Sequence, residues 1–366
     1  MSAQNRWSDS YDRDLRDVIT LQAEVARAVA RQIAMALSPV ERERMELAAQ
    51  PGSGRRPDPE AYDAYLKGRY HDARWRSEEP QETAIRYYEE AIRRDPTFAR
   101  AYAGLAEAAH KVYFQPERLQ VAKAAAERAV GLDSTLPEAY AALGVVRMRE
   151  WDWSGSEAAF KKAIDIDPNS PVAHQWYAEL LRRYPGRRDE ALQEARRAEY
   201  LDPLSLPVKT MVGWVLFYQY RYDEAIRVWD DVLELDPDYG LAIYNQGLAY
   251  AQKGLGEQAI AAAQRAAGRW RGGEVQTTWL LGIGYALSWQ RDRARAILQH
   301  LKAPGLIAAL HFVLGDEEQA LVWLERGYDL RDDGLPGATS VCGPRWFGRL
   351  CDHPRYRALR VKMGLP

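Results

Sequence analysis

The sequence predicts an all-α solenoid of about eight stacked helical pairs, and three observations predict it. A helical motif returns at a nearly fixed interval, a second pattern of small residues sits between its copies, and Asp-Pro stops punctuate the two. In the recurring motif a small residue is followed four positions later by an aromatic or apolar one, three later by Ala or Val, and five later by Pro after Asp. The copies are Ala84/Tyr88/Ala91/Pro96, Ala122/Ala126/Ala129/Ser134, Ser156/Phe160/Ala163/Pro168, Ala191/Ala195/Ala198/Pro203 and Ala225/Trp229/Val232/Pro237. Their starts fall 38, 34, 35 and 34 residues apart. Small residues let the second helix of a pair approach the first, the apolar residue fills the gap, and Asp-Pro ends the helix.

The first helix of each pair agrees. Tyr102/Leu105/Ala106, Tyr140/Leu143/Gly144, Val212/Gly213, Gly247/Tyr250 and Leu281/Gly282/Tyr285 place a small residue beside apolar ones. A mid-helix Gly costs about 1 kcal/mol relative to Ala, so close packing is the expected compensation. Later copies are looser: Ala259/Ala263/Ala266 lacks the Asp-Pro stop, the next runs through Ala294, Leu298 and Leu301, and a last pair carries Ala320, Leu324 and Gly327. Degenerate ends suit a stack whose terminal faces meet water.

Three segments follow: residues 1–58, an amphipathic helix and linker; residues 59–330, the solenoid; and residues 331–366, an irregular tail with a short capping helix. In the first, Val18, Leu21, Val25, Ala28, Val29, Ile33 and Leu37 fall on one helical face. That stripe must be buried, as a cap on the first pair, in a homodimer, or on a partner's sheet.

A period of 34 with this pattern is the tetratricopeptide signature, and the chain resembles that family over about three quarters of its length. The ends carry a narrower resemblance. WSDSYDRDLRDVITLQAEVARAVARQIAMALSPVERERM, PEAYDAYLKGRYHDARW and DHPRYRALRVKMGLP are similar to the carboxyl-terminal region of bacterial signalling proteins, where such an array follows a winged-helix, nucleotide cyclase or kinase domain. None of those output modules is visible in this sequence. The resemblance implies a protein-interaction scaffold, or alternatively the sensor or oligomerisation module of a signalling or transcription-regulatory system that works with a separate effector.

Composition fits a binding role. With 47% hydrophobic and 28% charged residues and a formal charge of −2, the chain lacks the basic excess of a dedicated nucleic-acid surface. Its longest apolar run is far short of the roughly 20 residues of a membrane span. Cys342 and Cys351 match no CxxC spacing and read as two free thiols, which points to a cytoplasmic protein. The histidines, His71, His110, His174, His300, His311 and His353, show no HxxxH or HExxH spacing, so no metal, cofactor or catalytic site is expected. Arg55-Arg56 and Gly186-Arg187-Arg188 read as solvated turns.

Tetratricopeptide arrays bind partners on the concave face, lined by the first helix of each pair. That register selects Trp176, Glu179, Arg182 and Arg183 in the fourth pair, and Thr210, Met211, Trp214, Phe217 and Tyr218 in the fifth. It selects Tyr244, Asn245, Leu248 and Gln252 in the sixth, and Trp279 and Ile283 in the seventh. The family's carboxylate-gripping places are filled by Ala103, Glu107, Ala141, Val145, Thr210 and Trp214, so that clamp is missing. The expected groove is aromatic, suited to extended apolar or proline-containing peptides. Three occupants stay open for these aromatics: neighbouring repeats, the Gly/Pro-rich tail DDGLPGATSVCGPRWFGRL, or a foreign peptide.

Overall fold

In the computed structural model, residues 57–72, 78–110, 116–270, 273–332, 335 and 348–365 are described. The amphipathic stripe of residues 1–58 lies outside them, as does most of the Gly/Pro-rich tail. The described residues form seventeen α-helices and no strand. Sixteen of them make eight antiparallel pairs. These are α1 (Pro59–Asp72) with α2 (Glu78–Arg94), α3 (Ala99–His110) with α4 (Pro116–Leu132), α5 (Pro137–Arg149) with α6 (Trp153–Ile166), and α7 (Pro171–Leu181) with α8 (Arg188–Leu201). They continue as α9 (Leu206–Tyr218) with α10 (Tyr222–Leu235), α11 (Gly240–Gln252) with α12 (Gly256–Ala266), α13 (Glu274–Leu287) with α14 (Arg291–Leu298), and α15 (Pro304–Val313) with α16 (Glu317–Asp329). A final helix, α17, spans Pro354–Lys362.

Each pair closes over the residues of its motif. Tyr88, Phe160 and Trp229 are fully buried, and each rests on a glycine of the partner helix. A Cβ built on Gly144 would stand 2.5 Å from Phe160, and one on Gly213 would stand 2.2 Å from Trp229 Nε1. Side chains of this size contribute about 3–5 kcal/mol each against truncation to Ala, which far exceeds the helical cost of the glycines.

The Asp-Pro stops work through local hydrogen bonds. Asp95 and Asp167 each accept the backbone N–H two residues on, at 3.0 and 2.9 Å, closing an Asx turn into the next pair. The opposite corners, between first and second helices, end in a left-handed residue with the N–H of the next residue reaching five residues back. Gly254 and Gly315 fill that position in the sixth and eighth pairs, but Trp151, Tyr220 and Trp289, each at φ 64°, fill it in the third, fifth and seventh. The supporting bonds run from Asp152 to Arg147, Arg221 to Leu216 and Gln290 to Tyr285. One edge of the solenoid therefore carries a row of aromatic corners.

Two expectations are corrected here. Cys351 is disulfide-bonded and half-buried against the core, so the chain does not hold two free thiols. Spacing could not show this, because pairing is set by how the folded chain returns on itself. Arg187 and Arg188 are not a solvated turn either. Arg187 forks onto Glu157 of α6 at 2.9 and 3.0 Å and also binds Glu190, while Arg188 is buried.

Candidate functional site

The concave side is built from the first helices, and α7, α9, α11 and α13 carry most of the selected residues. Trp176 and Trp214 are half-buried, and Met211, Tyr218, Tyr244 and Trp279 are buried. Trp214 tilts against Tyr218 at a ring distance of 5.9 Å and packs edge-on against Trp229 at 6.1 Å. Tyr244 tilts against Trp270 at 5.0 Å. Phe217 and Ile283 are fully buried, as is Asn245, and for Phe217 the surroundings are a correction. Phe217 meets Tyr222 and Trp229 at 5.4 and 6.4 Å, so it fills the seam between α9 and α10 instead of facing the groove.

At the end of α7 sits a buried charge cluster. Glu179 accepts from Arg182 Nε at 2.6 Å, from Arg182 Nη2, and from Arg183 Nη2 at 2.8 Å. The three side chains are only 10%, 9% and 11% exposed. Burial alone would raise the Glu179 carboxyl, but the two guanidinium groups hold it below its ordinary value. Burial pushes Arg183 down, because one carboxylate serves two cations. The Arg182 guanidinium also lies 4.1 Å over the Tyr218 ring and 5.6 Å over Trp214, so charge and aromatic surface are fused.

A second network ties the third and fourth pairs. Arg187 donates to Tyr177 Oη at 3.0 Å, and Tyr177 donates to Glu157 at 3.0 Å. The hydrogen bonds from Arg187 hold the Glu157 carboxyl down to about 2, against partial burial.

Further along, polar groups lack partners. Asn245 and Gln252 lie two turns apart on α11, 0% and 2% exposed, and both the oxygen and the nitrogen of each amide have no hydrogen-bond partner among the described residues. Thr210 Oγ1 on α9 is in the same condition. Native interiors match nearly all such groups, and each unmatched one costs about 1–3 kcal/mol.

The last described helix, α17, docks far back along the chain. Trp153 Nε1, at the start of α6, donates to the Met363 carbonyl at 2.6 Å. Trp151 meets Tyr328 of α16 at 5.8 Å and lies under Arg331 at 4.7 Å. The third and eighth pairs therefore touch, and the array completes a turn. Sequence reading missed both this contact and the aromatic corners. The surplus of Trp and Tyr at corner positions usually held by Gly was the only signal for them.

Among the described residues, no group of three or more His, Cys, Asp or Glu could hold a metal ion. None of the described helices is long and apolar enough to cross a membrane.

Paired antiparallel helices of this geometry define a helical-repeat solenoid. The family model described as tetratricopeptide repeat matches residues 111–171 and 211–274, so tetratricopeptide repeats occupy those two stretches of the chain. It is 30% identical over 123 residues to small glutamine-rich tetratricopeptide repeat-containing protein 2 of Mycosarcoma maydis, covering 34% of each chain. It is 30% identical over 154 residues to putative adenylate cyclase 3 of Rhizobium meliloti, covering 40% of this chain and 25% of that one. The chain thus spans between a quarter and about a third of these relatives' lengths. Among solved structures, a human IFIT1 dimer with m7Gppp-AAAA aligns with a TM-score of 0.52 and 17% identity over 69% of this chain and 68% of that one, a likeness of fold alone.

Proposed function

We propose that this protein is a non-catalytic scaffold that binds an extended segment of a protein partner along its concave face. One observation carries the reading: Asn245 and Gln252 bury complete amides that lack partners. Both amides are covered in this structure, and on turning outward they would meet an extended backbone whose N–H and C=O groups, presented at regular intervals, can satisfy donor and acceptor together. Trp176, Met211, Trp214, Tyr218, Tyr244 and Trp279, on the first helices of the same pairs, would supply flat apolar contacts. Arg182 and Arg183, short of anions, favour a segment that carries a carboxylate. The test is selection of twelve-residue peptides from a displayed library, followed by the double substitution Asn245→Leu and Gln252→Leu. Removing unmatched amides should leave the fold as stable or more so, while peptide affinity falls at least tenfold. Unchanged affinity in a folded double variant would sink the reading.

A second reading rests on the match to the putative adenylate cyclase. In it the chain is the sensing or oligomerising part of a signalling system, self-associating through the apolar stripe of residues 18–37. Sedimentation of the chain with Val25→Asp and Ile33→Asp tests it: a dimer that falls to monomer supports this reading, and an unchanged mass removes it.

A further inference from the structure

The last described helix touches two separated parts of the array. At its carboxyl end, Met363 accepts the Trp153 indole N–H in the third pair, and Gly364, at φ 68°, lies so close that a Cβ would stand 3.1 Å from the same ring. Along its length, Arg355 forks onto Glu325 of α16 in the eighth pair at 2.8 and 2.7 Å and reaches Glu318 at 2.7 Å, while Lys362 sits 5.8 Å over Tyr328. On its inner face, Tyr356 is fully buried. The segment thus bridges the third and eighth pairs.

The helix is built for docking and not for independence. Tyr356, Leu359 and Met363, at spacings of three and four, form its buried stripe, while Arg357, Lys362 and Val361 face water. Nine residues are too few to hold a helix in water without a surface to lie on. Its polar anchors to α16 are partly exposed, with Glu325 44% and Glu318 69% accessible, so solvent screens them.

We propose that α17 is a cis-acting latch between the third and eighth pairs, whose release exposes a surface that accepts a short basic amphipathic helix of the same pattern in trans. The partner chemistry follows from the contacts: an aromatic residue, a Leu three on and a Met four further for the apolar floor, an Arg for Glu318 and Glu325, and a small residue after the Met to clear Trp153.

The test uses the full chain and a labelled peptide of the sequence PRYRALRVKMGL. Leu359→Asp with Met363→Asp should release α17, read as lost hydrogen-exchange protection over residues 354–365 with the helical signal of the repeats retained. Gly364→Val provides a second route to release through its clash with Trp153. Released chains should bind the peptide at least tenfold more tightly than the wild type, whose site is filled, and a scrambled peptide should not bind. Equal binding to wild type and released chains overturns the proposal, as does absence of binding to chains in which exchange shows α17 free. Continued protection of residues 354–365 in both variants also overturns it, because the docked stripe would then not be what holds the helix.

Discussion

Gly213 of α9 lies directly beneath the indole of Trp229 of α10, with only 2.2 Å between Trp229 Nε1 and the place a Cβ would take. The indole N–H bonds to the Thr210 carbonyl at 3.3 Å, which fixes the ring over the glycine. Gly213→Ala should therefore destabilise the chain by about 1–3 kcal/mol in urea melts, as overpacking does. Gly131 is exposed near the end of α4 with nothing within 4 Å of its own Cβ position, and Gly131→Ala should gain roughly 0.5–1 kcal/mol from helix propensity. The opposite signs separate packing from backbone entropy.

Glu179 is the one anion described between two buried arginines. Glu179→Gln leaves Arg182 and Arg183 without charge compensation and should cost about 3–5 kcal/mol in denaturant unfolding. Replacing all three with apolar residues, Glu179→Leu, Arg182→Met and Arg183→Met, should restore most of the loss, because the desolvation of the pair disappears with it.

Glu157 gives the chain an acid-sensitive joint between the third and fourth pairs. Its folded carboxyl titrates near 2, below the ordinary 4.5, so as pH falls the unfolded chain takes up the proton first. Its stabilising contribution is complete above about pH 4.5 and is lost as pH falls towards 2. Glu157→Gln should lower stability at pH 7 by about 1–3 kcal/mol, and the difference from wild type should shrink steadily in urea titrations from pH 5 to pH 2.5.

The aromatic corners offer a matched comparison. Trp289 is 81% exposed at φ 64°, so Trp289→Gly should gain about 1 kcal/mol by relieving the left-handed backbone. Trp151 occupies the same corner but holds Tyr328 and Arg331, so Trp151→Gly should gain nothing in the same thermal melts.

Much of this fold was legible because its determinants are local. The Ala84-to-Pro237 motif places Tyr88, Phe160 and Trp229 in the seams where they are found, and the Asp-Pro stops mark the turns. The groove register was coarser: it selected Phe217, which fills the seam against Tyr222 and Trp229, because one helical position separates groove from seam. Arg187 read as solvated since its partners Glu157 and Tyr177 come from the preceding pair. The left-handed Trp and Tyr corners were hidden because glycine is the residue expected there. The seat of α17 was hidden because it depends on the accumulated pitch of five pairs.

The hydrogen bond between Trp153 and Met363 joins residues 210 apart in sequence. A stack held only by nearest neighbours can unzip from either end, one pair at a time. Here the eighth pair is fastened to the third, so the carboxyl-terminal pairs cannot fray without first breaking a tie made halfway along the chain. That tie can form only after every pair between has reached its place, since it needs the full pitch of the array. A contact of such sequence separation is expected to form last in an otherwise local folding process, and the chain from Trp153 onwards should then melt as a block.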